Sequence, residues 1–124
     1  MFASNAIISI KNLRLRTFIG FNPEEREKQQ DVEINIDIHY PVSNGLLEDD
    51  VDSALNYKTI TKKVIQYVEN GSFLLLEKMV AEVLGLCCDH PQVHYARVSI
   101  DKPHALRFAD SVSITMEYCS DDKQ

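Results

Sequence analysis

The segment from Asp31 to Pro41 alternates apolar and polar residues without interruption. Its apolar members occupy every second position and are Val32, Ile34, Ile36, Ile38 and Tyr40. Because successive side chains of a strand point to opposite faces, the alternation predicts a half-buried β-strand, which Pro41 ends. The apolar-rich run from Ile7 to Ile19 predicts a long partner strand with an irregularity near Asn12, and we expect the two to form an antiparallel hairpin.

Two helices are predicted after this hairpin. The residues that share an apolar helical face in the first are Tyr57, Ile60, Val64, Tyr67 and Val68. Asn70-Gly71 ends that helix, and Ser72 is expected to cap a second helix from about Phe73 to Asp89. The polar stretches 20–30 and 43–52 read as loops.

Two further strands are predicted, Tyr95 to Asp101 and Ser111 to Tyr118, each with apolar residues at alternate positions. The order of elements is therefore ββααββ. It predicts an α+β domain in which a four-stranded antiparallel sheet carries two helices on one face. Such a sheet has open edges, and we expect copies of the chain to associate by joining them.

The chain has 124 residues, the size of one domain. We expect a single domain over residues 1–124, with a core from about residue 6 to about residue 118 and a polar tail at 119–124. The formal net charge of -6 argues against a general nucleic-acid-binding protein. No apolar run approaches the roughly 20 residues that cross a bilayer, so no membrane association is expected.

The cysteines and histidines predict neither a disulfide framework nor a metal site. There are three cysteines, an odd number without a CxxC pair. The four histidines lack a metal-ligand spacing, since His39 stands alone on its strand. No signal peptide is evident, and we expect a reduced, cytoplasmic protein.

Four residues combine chemistry with a suggestive position: Glu25, Tyr57, Glu77 and Lys102. Lys102 follows a strand-like run and precedes a proline, which would hold its amine in place for proton transfer. Glu77 follows three leucines, which predicts a half-buried carboxylate that needs a partner. Each also has an ordinary explanation, such as a solvated loop carboxylate for Glu25 or a core aromatic for Tyr57.

Together these residues resemble a known family. The sequence contains, in order, Gly20-x4-Glu25-x4-Gln30, Tyr57, Leu76-Glu77 and Lys102-Pro103-x-Ala105. This ordered set is similar to that of the dihydroneopterin aldolase family and covers about residues 6 to 118. The resemblance implies the tunnelling fold, which has the same ββααββ order.

The resemblance is greater to the epimerase members of the family, over 10–20, 54–57 and 101–112. Leu106-Arg107 stands where typical aldolases have Pro-Ile. This implies an enzyme that epimerises C2′ of 7,8-dihydroneopterin triphosphate by retro-aldol cleavage and re-addition. One alternative is an aldolase that releases glycolaldehyde and 6-hydroxymethyl-7,8-dihydropterin. Another is a non-catalytic ring-forming module that only binds a pterin.

The resemblance also implies roles for the residues. Lys102 would transfer protons, Glu25 would orient it or a water, and Tyr57 could assist. Glu77, with Leu76 beside it, would bind the pterin by accepting two adjacent N–H groups. Tyr57 would supply an aromatic wall from a neighbouring subunit.

The triphosphate requires cations, for which Arg14, Arg16, Lys58 and Arg107 are candidates. Arg107 is favoured because it stands where the sequence departs from the aldolase pattern, and His104 is expected to line the pocket. The substrate supplies its own imine electron sink, so no cofactor and no metal are expected. The family implies a homo-octamer of two stacked tetrameric rings, with the sites between subunits.

Overall fold

The computed structural model describes residues 4–119, so the predicted tail beyond Cys119 lies outside the described residues. The elements in chain order are β1 (Asn5–Ile19), α1 (Pro23–Glu27), β2 (Gln30–Pro41), α2 (Asn44–Leu47), a 3-10 turn (Val51–Ser53), α3 (Tyr57–Glu69), β3 (Ser72–Phe73), α4 (Leu76–Cys88), β4 (Tyr95–Pro103) and β5 (Ser111–Cys119). The domain is therefore α+β, as predicted.

The sheet has five strands in the order β3-β1-β2-β4-β5. Strands β1, β2, β4 and β5 form the predicted antiparallel four-stranded sheet. The fifth strand, β3, was not predicted. It runs parallel to the end of β1, where Phe18 pairs with Ser72 and Ile19 with Phe73.

The predicted irregularity in β1 is a β-bulge. The register against β2 shifts between Ile10 and Leu13. Asn12 adopts a left-handed φ of 53°, and its backbone N–H donates to the Asn35 side chain at 2.9 Å. Because the bulge inserts residues into one strand, Ile10 and Leu13 pack against the same core although their spacing is odd.

The core lies between one face of the sheet and helices α3 and α4. The alternation in β2 is confirmed, since Val32, Ile34, Ile36 and Ile38 are at most 1% exposed. They pack with the apolar faces of the two helices, which contribute Val64, Val68, Met79, Val80 and Val83. Burial of these side chains is the main force that holds the helices on the sheet.

The predictions for three segments were wrong. The stretches 20–30 and 43–52 contain the short helices α1 and α2. The second long helix begins at Leu76, not near Phe73, and Ser72 does not cap it. Ser72 and Phe73 instead pair with β1, because this places the Phe73 ring in the core at 5% exposure. Among residues 4–119, no helix is long and apolar enough to span a bilayer.

Candidate active site

A cavity of about 320 Å³ lies where β1 ends, α4 begins and the β4–β5 hairpin turns. Three of its lining residues are ionisable: Glu25, Glu77 and Lys102. Its apolar walls include Leu75 and Ile114. The cavity thus joins three of the four residues that the sequence marked out, from three different parts of the chain.

Lys102 and Glu25 form an ion pair on the wall of this cavity. Lys102 lies on the same face of β4 as the buried Ile100, because strand side chains alternate. Its ammonium therefore projects from the core side of the sheet and donates a hydrogen bond to Oε2 of Glu25. The two side chains are 16% and 21% exposed, so solvent screens the pair only in part.

The Glu25 carboxylate is held from several directions. Gln30 Nε2 donates to Glu25 Oε2 at 3.3 Å and to the carbonyl of Ile19 at 2.7 Å. The backbone N–H of Asn22 lies 3.4 Å from Glu25 Oε1. Because Asn22 is the N-cap of α1 and Glu25 its third residue, this contact is half of a capping box.

Gly20 makes room for this carboxylate. A Cβ atom at Gly20 would lie 2.2 to 2.5 Å from the carboxylate atoms of Glu25, closer than atoms can approach. Gly20 also has a φ of +128°, which residues with a side chain rarely adopt. The glycine of the sequence motif therefore suits both the backbone conformation at this position and the carboxylate that lies beside it.

These contacts keep Glu25 ionised. The hydrogen bond from Lys102 is the main reason why the pKa of Glu25 lies below its usual 4.5. Desolvation opposes this effect, and the hydrogen bond from Gln30 adds to it. At neutral pH the Glu25 side chain in the cavity is therefore a carboxylate.

Glu77 lies in the first turn of α4, with Leu76 buried beneath it. The suggestion that Glu77 is half buried was wrong for this chain, in which the residue is exposed. The reason is that α4 turns Leu76 and Met79 towards the core and Glu77 away from it. Its carboxylate has no ion pair with another residue of 4–119, and it faces the cavity beside the 52% exposed Leu75.

Tyr57 does not line this cavity. It is the first residue of α3, 48% exposed, and it borders a separate shallow groove on that helix. Within one chain, the structure therefore does not bring Tyr57 to Lys102.

The three residues expected to complete the substrate site also lie outside the cavity. Arg16 donates to Asp31 Oδ1 at 3.0 Å and to the carbonyl of Gln29 at 3.0 Å. Arg107 lies in the exposed β4–β5 turn, with its guanidinium 5.4 Å from the ring centroid of Phe108. His104, in the same turn, has a left-handed φ of 64° and borders a different groove.

Some site residues had no role assigned from the sequence. Gly20 and Gln30 are the first and last residues of the motif around Glu25, and both contact or make room for its carboxylate. The spacing of Asn22 and Glu25 is a capping-box signal that could have revealed α1. Among residues 4–119, no group of three His, Cys, Asp or Glu side chains is arranged to hold a metal ion.

Comparison with known proteins agrees with this geometry. The family model "Dihydroneopterin aldolase" matches residues 8–117. The dihydroneopterin triphosphate 2′-epimerase of Escherichia coli strain K12 is 55% identical over 113 residues, covering 91% of this chain and 94% of that protein. The protein of the same name from Pseudomonas aeruginosa is 54% identical, covering 90% of each.

A solved structure gives the same fold. Escherichia coli dihydroneopterin aldolase, crystallised in complex with neopterin, superposes with a TM-score of 0.85 at 27% identity, covering 91% of this chain and 98% of that chain. The tunnelling fold implied by the sequence motifs is thereby confirmed. The chain belongs to the dihydroneopterin aldolase family.

Proposed function

We propose that the chain is an epimerase that converts 7,8-dihydroneopterin triphosphate to 7,8-dihydromonapterin triphosphate. The observation that carries this proposal is the identity of 54 to 55% to proteins named for that reaction, over nine tenths of the chain. The aldolase of known structure is only 27% identical. The Lys102–Glu25 pair supplies the proton chemistry that epimerisation by carbon–carbon cleavage needs.

In the proposed reaction the proton of the 2′-hydroxyl passes to the Lys102–Glu25 pair as the C1′–C2′ bond breaks. The bonding electrons move into the ring C=N group, whose nitrogen takes a proton from the ammonium. Lys102 thus gives one proton and receives one, and the charge of the pair is unchanged. The aldehyde turns its other face to C1′, the bond re-forms, and the protons return.

The pterin ring is proposed to bind at Glu77. Its carboxylate faces the cavity without an ion pair within the described residues, so it can accept two adjacent N–H groups of the pterin. Leu76 and the exposed Leu75 would contact the flat ring. A ring buried there would lower the polarity around the Lys102–Glu25 pair and strengthen its electrostatic interactions.

Tyr57 is proposed to reach this site from a neighbouring subunit. Tyr57 is exposed and lines a groove separate from the cavity, which favours that arrangement over one within the chain. The sheet has open edges on β5 and along most of β1, whose pairing with β3 involves only Phe18 and Ile19. Edge-to-edge pairing would close rings and cover these edges. We propose the family's octamer of two tetrameric rings, in the cytoplasm.

The phosphates are proposed to contact Arg107, and His104 and Arg16 remain the other candidates for the substrate site. Ala105, two residues before Arg107, lines the cavity, so the turn that carries the arginine borders the substrate. Arg16 is the weakest of these candidates because its guanidinium already donates to Asp31 and Gln29.

The second candidate is aldol cleavage, favoured by the structural match to an aldolase in complex with neopterin. The two reactions share the cleavage step and differ only in whether the aldehyde is recaptured. A non-catalytic pterin-binding ring is a third reading, against which the preformed Lys102–Glu25 pair argues.

Incubation with dihydroneopterin and, separately, with its triphosphate tests the proposal. Chromatography would resolve the 2′-epimer from the cleaved hydroxymethyl pterin. We expect the epimer as the main product from the triphosphate. Cleavage product without epimer would overturn the proposal in favour of an aldolase, and no turnover of either compound would favour a binding module.

A further inference from the structure

The exposed side of α3 carries a shallow groove that includes two lysines. It is lined by Tyr57, Lys58, Thr61, Lys62, Ile65 and Gln66. Lys58 and Lys62 are four residues apart, so their side chains lie on the same side of the helix, about 6 Å apart at Cβ. This pair therefore forms a compact positive patch next to Tyr57.

Neither lysine is neutralised within the described part of the chain. The ion pairs there join Arg14 to Glu33, Arg16 to Asp31, Lys78 to Glu82 and Lys102 to Glu25. The exposed lysines Lys58 and Lys62 take part in none of them. Their charge is thus available to a ligand or to another subunit.

The cavity, in contrast to this patch, contains little positive charge. Its lining contains the carboxylates of Glu25 and Glu77 but only one cation, Lys102, which is already paired with Glu25. A triphosphate carries several negative charges, and positively charged donors stabilise these charges most strongly once they are partly desolvated. Within one chain the cavity cannot meet that requirement by itself, and Arg107 on the adjacent turn adds a single charge.

We infer that Lys58 and Lys62 of one subunit bind the triphosphate of the substrate held in the cavity of its neighbour. The inference rests on the proposed function, in which Tyr57 enters that cavity from the adjacent subunit. Because Tyr57 and Lys58 are consecutive and line one groove, the contact that delivers the tyrosine also delivers the lysine pair. One subunit would then bind the pterin end of the substrate, and its neighbour would bind the phosphate end.

The double variant Lys58→Ala/Lys62→Ala tests this assignment, with Lys63→Ala as the matched control. Lys63 is an exposed lysine of the same helix that borders a different cavity. We expect the KM for the triphosphate to rise about tenfold for each lysine removed, the size of one charge-assisted hydrogen bond. The KM for unphosphorylated dihydroneopterin should change far less, and Lys63→Ala should leave both values within about twofold of the unmodified chain.

Equal changes in KM for the two substrates would overturn the phosphate role. This result is distinguishable from a failure of the proposed function, which would appear as no epimer from the unmodified chain. Circular dichroism and size-exclusion chromatography of each variant, at the same concentration, would establish that fold and assembly are retained.

Mixed oligomers test the contribution across subunits. Chains with Lys102→Ala and chains with Lys58→Ala/Lys62→Ala would be co-expressed with different affinity tags. Successive purification on the two tags would isolate oligomers that contain both chains. If the two parts come from different subunits, a complete site forms where the cavity of a Lys58→Ala/Lys62→Ala chain meets helix α3 of a Lys102→Ala chain. We expect turnover of low triphosphate concentrations above the sum of the two parent oligomers. Turnover no greater than that sum would place the lysines and the cavity in one subunit and refute the inference.

Discussion

The Lys102 ammonium donates a hydrogen bond to Oε2 of Glu25, although 77 residues separate the two in the chain. The strand β4 supplies the lysine and the short helix α1 supplies the glutamate. Gln30 and the backbone of Asn22 hold the carboxylate, and Gly20 leaves space for it. The pair is therefore preorganised before substrate binds.

Removal of the lysine should abolish most of the turnover. We expect Lys102→Ala to lower kcat by about 10² to 10⁴, the range typical of a lost proton-transfer group, with a smaller effect on pterin binding. Steady-state kinetics with fluorescence titration of a pterin would separate the two effects. A kcat within about threefold of the unmodified chain would show that Lys102 is not the proton carrier.

Replacement of Gly20 should disturb the glutamate. In Gly20→Ala the new Cβ would overlap the Glu25 carboxylate, and the residue would be strained at a φ of +128°. We expect a loss of about 1 to 3 kcal/mol in the free energy of unfolding, together with reduced kcat.

Gly85 provides the matched control, because it lies inside α4 and a Cβ there would meet no atom within 4 Å apart from its chain neighbours and the nearby backbone of the helix. Gly85→Ala should stabilise the chain by about 0.5 to 1 kcal/mol, since alanine favours helix. Chemical denaturation measures both variants. Equal effects on stability would contradict the assigned role of Gly20.

The Glu25 carboxylate should make stability depend on pH. Its pKa is lowered in the folded chain, mainly by the hydrogen bond from Lys102, so the folded state binds fewer protons than the unfolded state near the usual value of 4.5. The resulting stabilisation is present above that pH and is lost as the pH falls through the lower, folded-state pKa.

Unfolding of the unmodified chain and of Glu25→Gln, measured from about pH 6 to about pH 3, would test this. We expect the unmodified chain to lose stability more steeply on acidification, because the amide cannot be protonated in that range. Parallel curves would mean that the pair contributes no proton-linked stability. Identical protein concentrations are needed, since association also affects apparent stability.

Cys87 should be unreactive in the folded protein. Burial raises the pKa of its thiol to about 12, and the residue is 0% exposed in the core. The thiolate, which is the reactive form, is therefore scarce at pH 8. Mass spectrometry after treatment with an alkylating reagent should find Cys87 modified only after denaturation. Modification of Cys87 at the rate of the exposed Cys119 would contradict the packing described for α4.

The sequence predicted most of the sheet because period-two patterns are long enough to recognise. β2 alternates over its whole length, and the bulge in β1 was visible as a break near Asn12. β3 has only two residues, too few for any period, and its pairing depends on β1 being already in place. For the same reason the predicted start of α4, near Phe73, lies before the observed start at Leu76.

The composition of the candidate site was predicted in part. The ordered motifs identified Glu25, Glu77 and Lys102, which the structure brings to one cavity. The sequence did not show how Glu25 is held, because the contacts of Gln30 and Gly20 arise only when β1 and β2 are paired. Nor could a pattern within one chain locate Tyr57, whose groove lies apart from the cavity.

The central claim is that C2′ is inverted by breaking and re-forming the C1′–C2′ bond, with the Lys102–Glu25 pair moving only hydroxyl and ring-nitrogen protons. Epimerisation of dihydroneopterin triphosphate in D₂O, followed by proton NMR of the product, tests this most directly. The account predicts dihydromonapterin triphosphate that retains its original hydrogen on C2′, because that C–H bond is never broken. Deuterium at C2′ would show that the enzyme inverts the centre by removing and replacing that hydrogen, and would contradict the account.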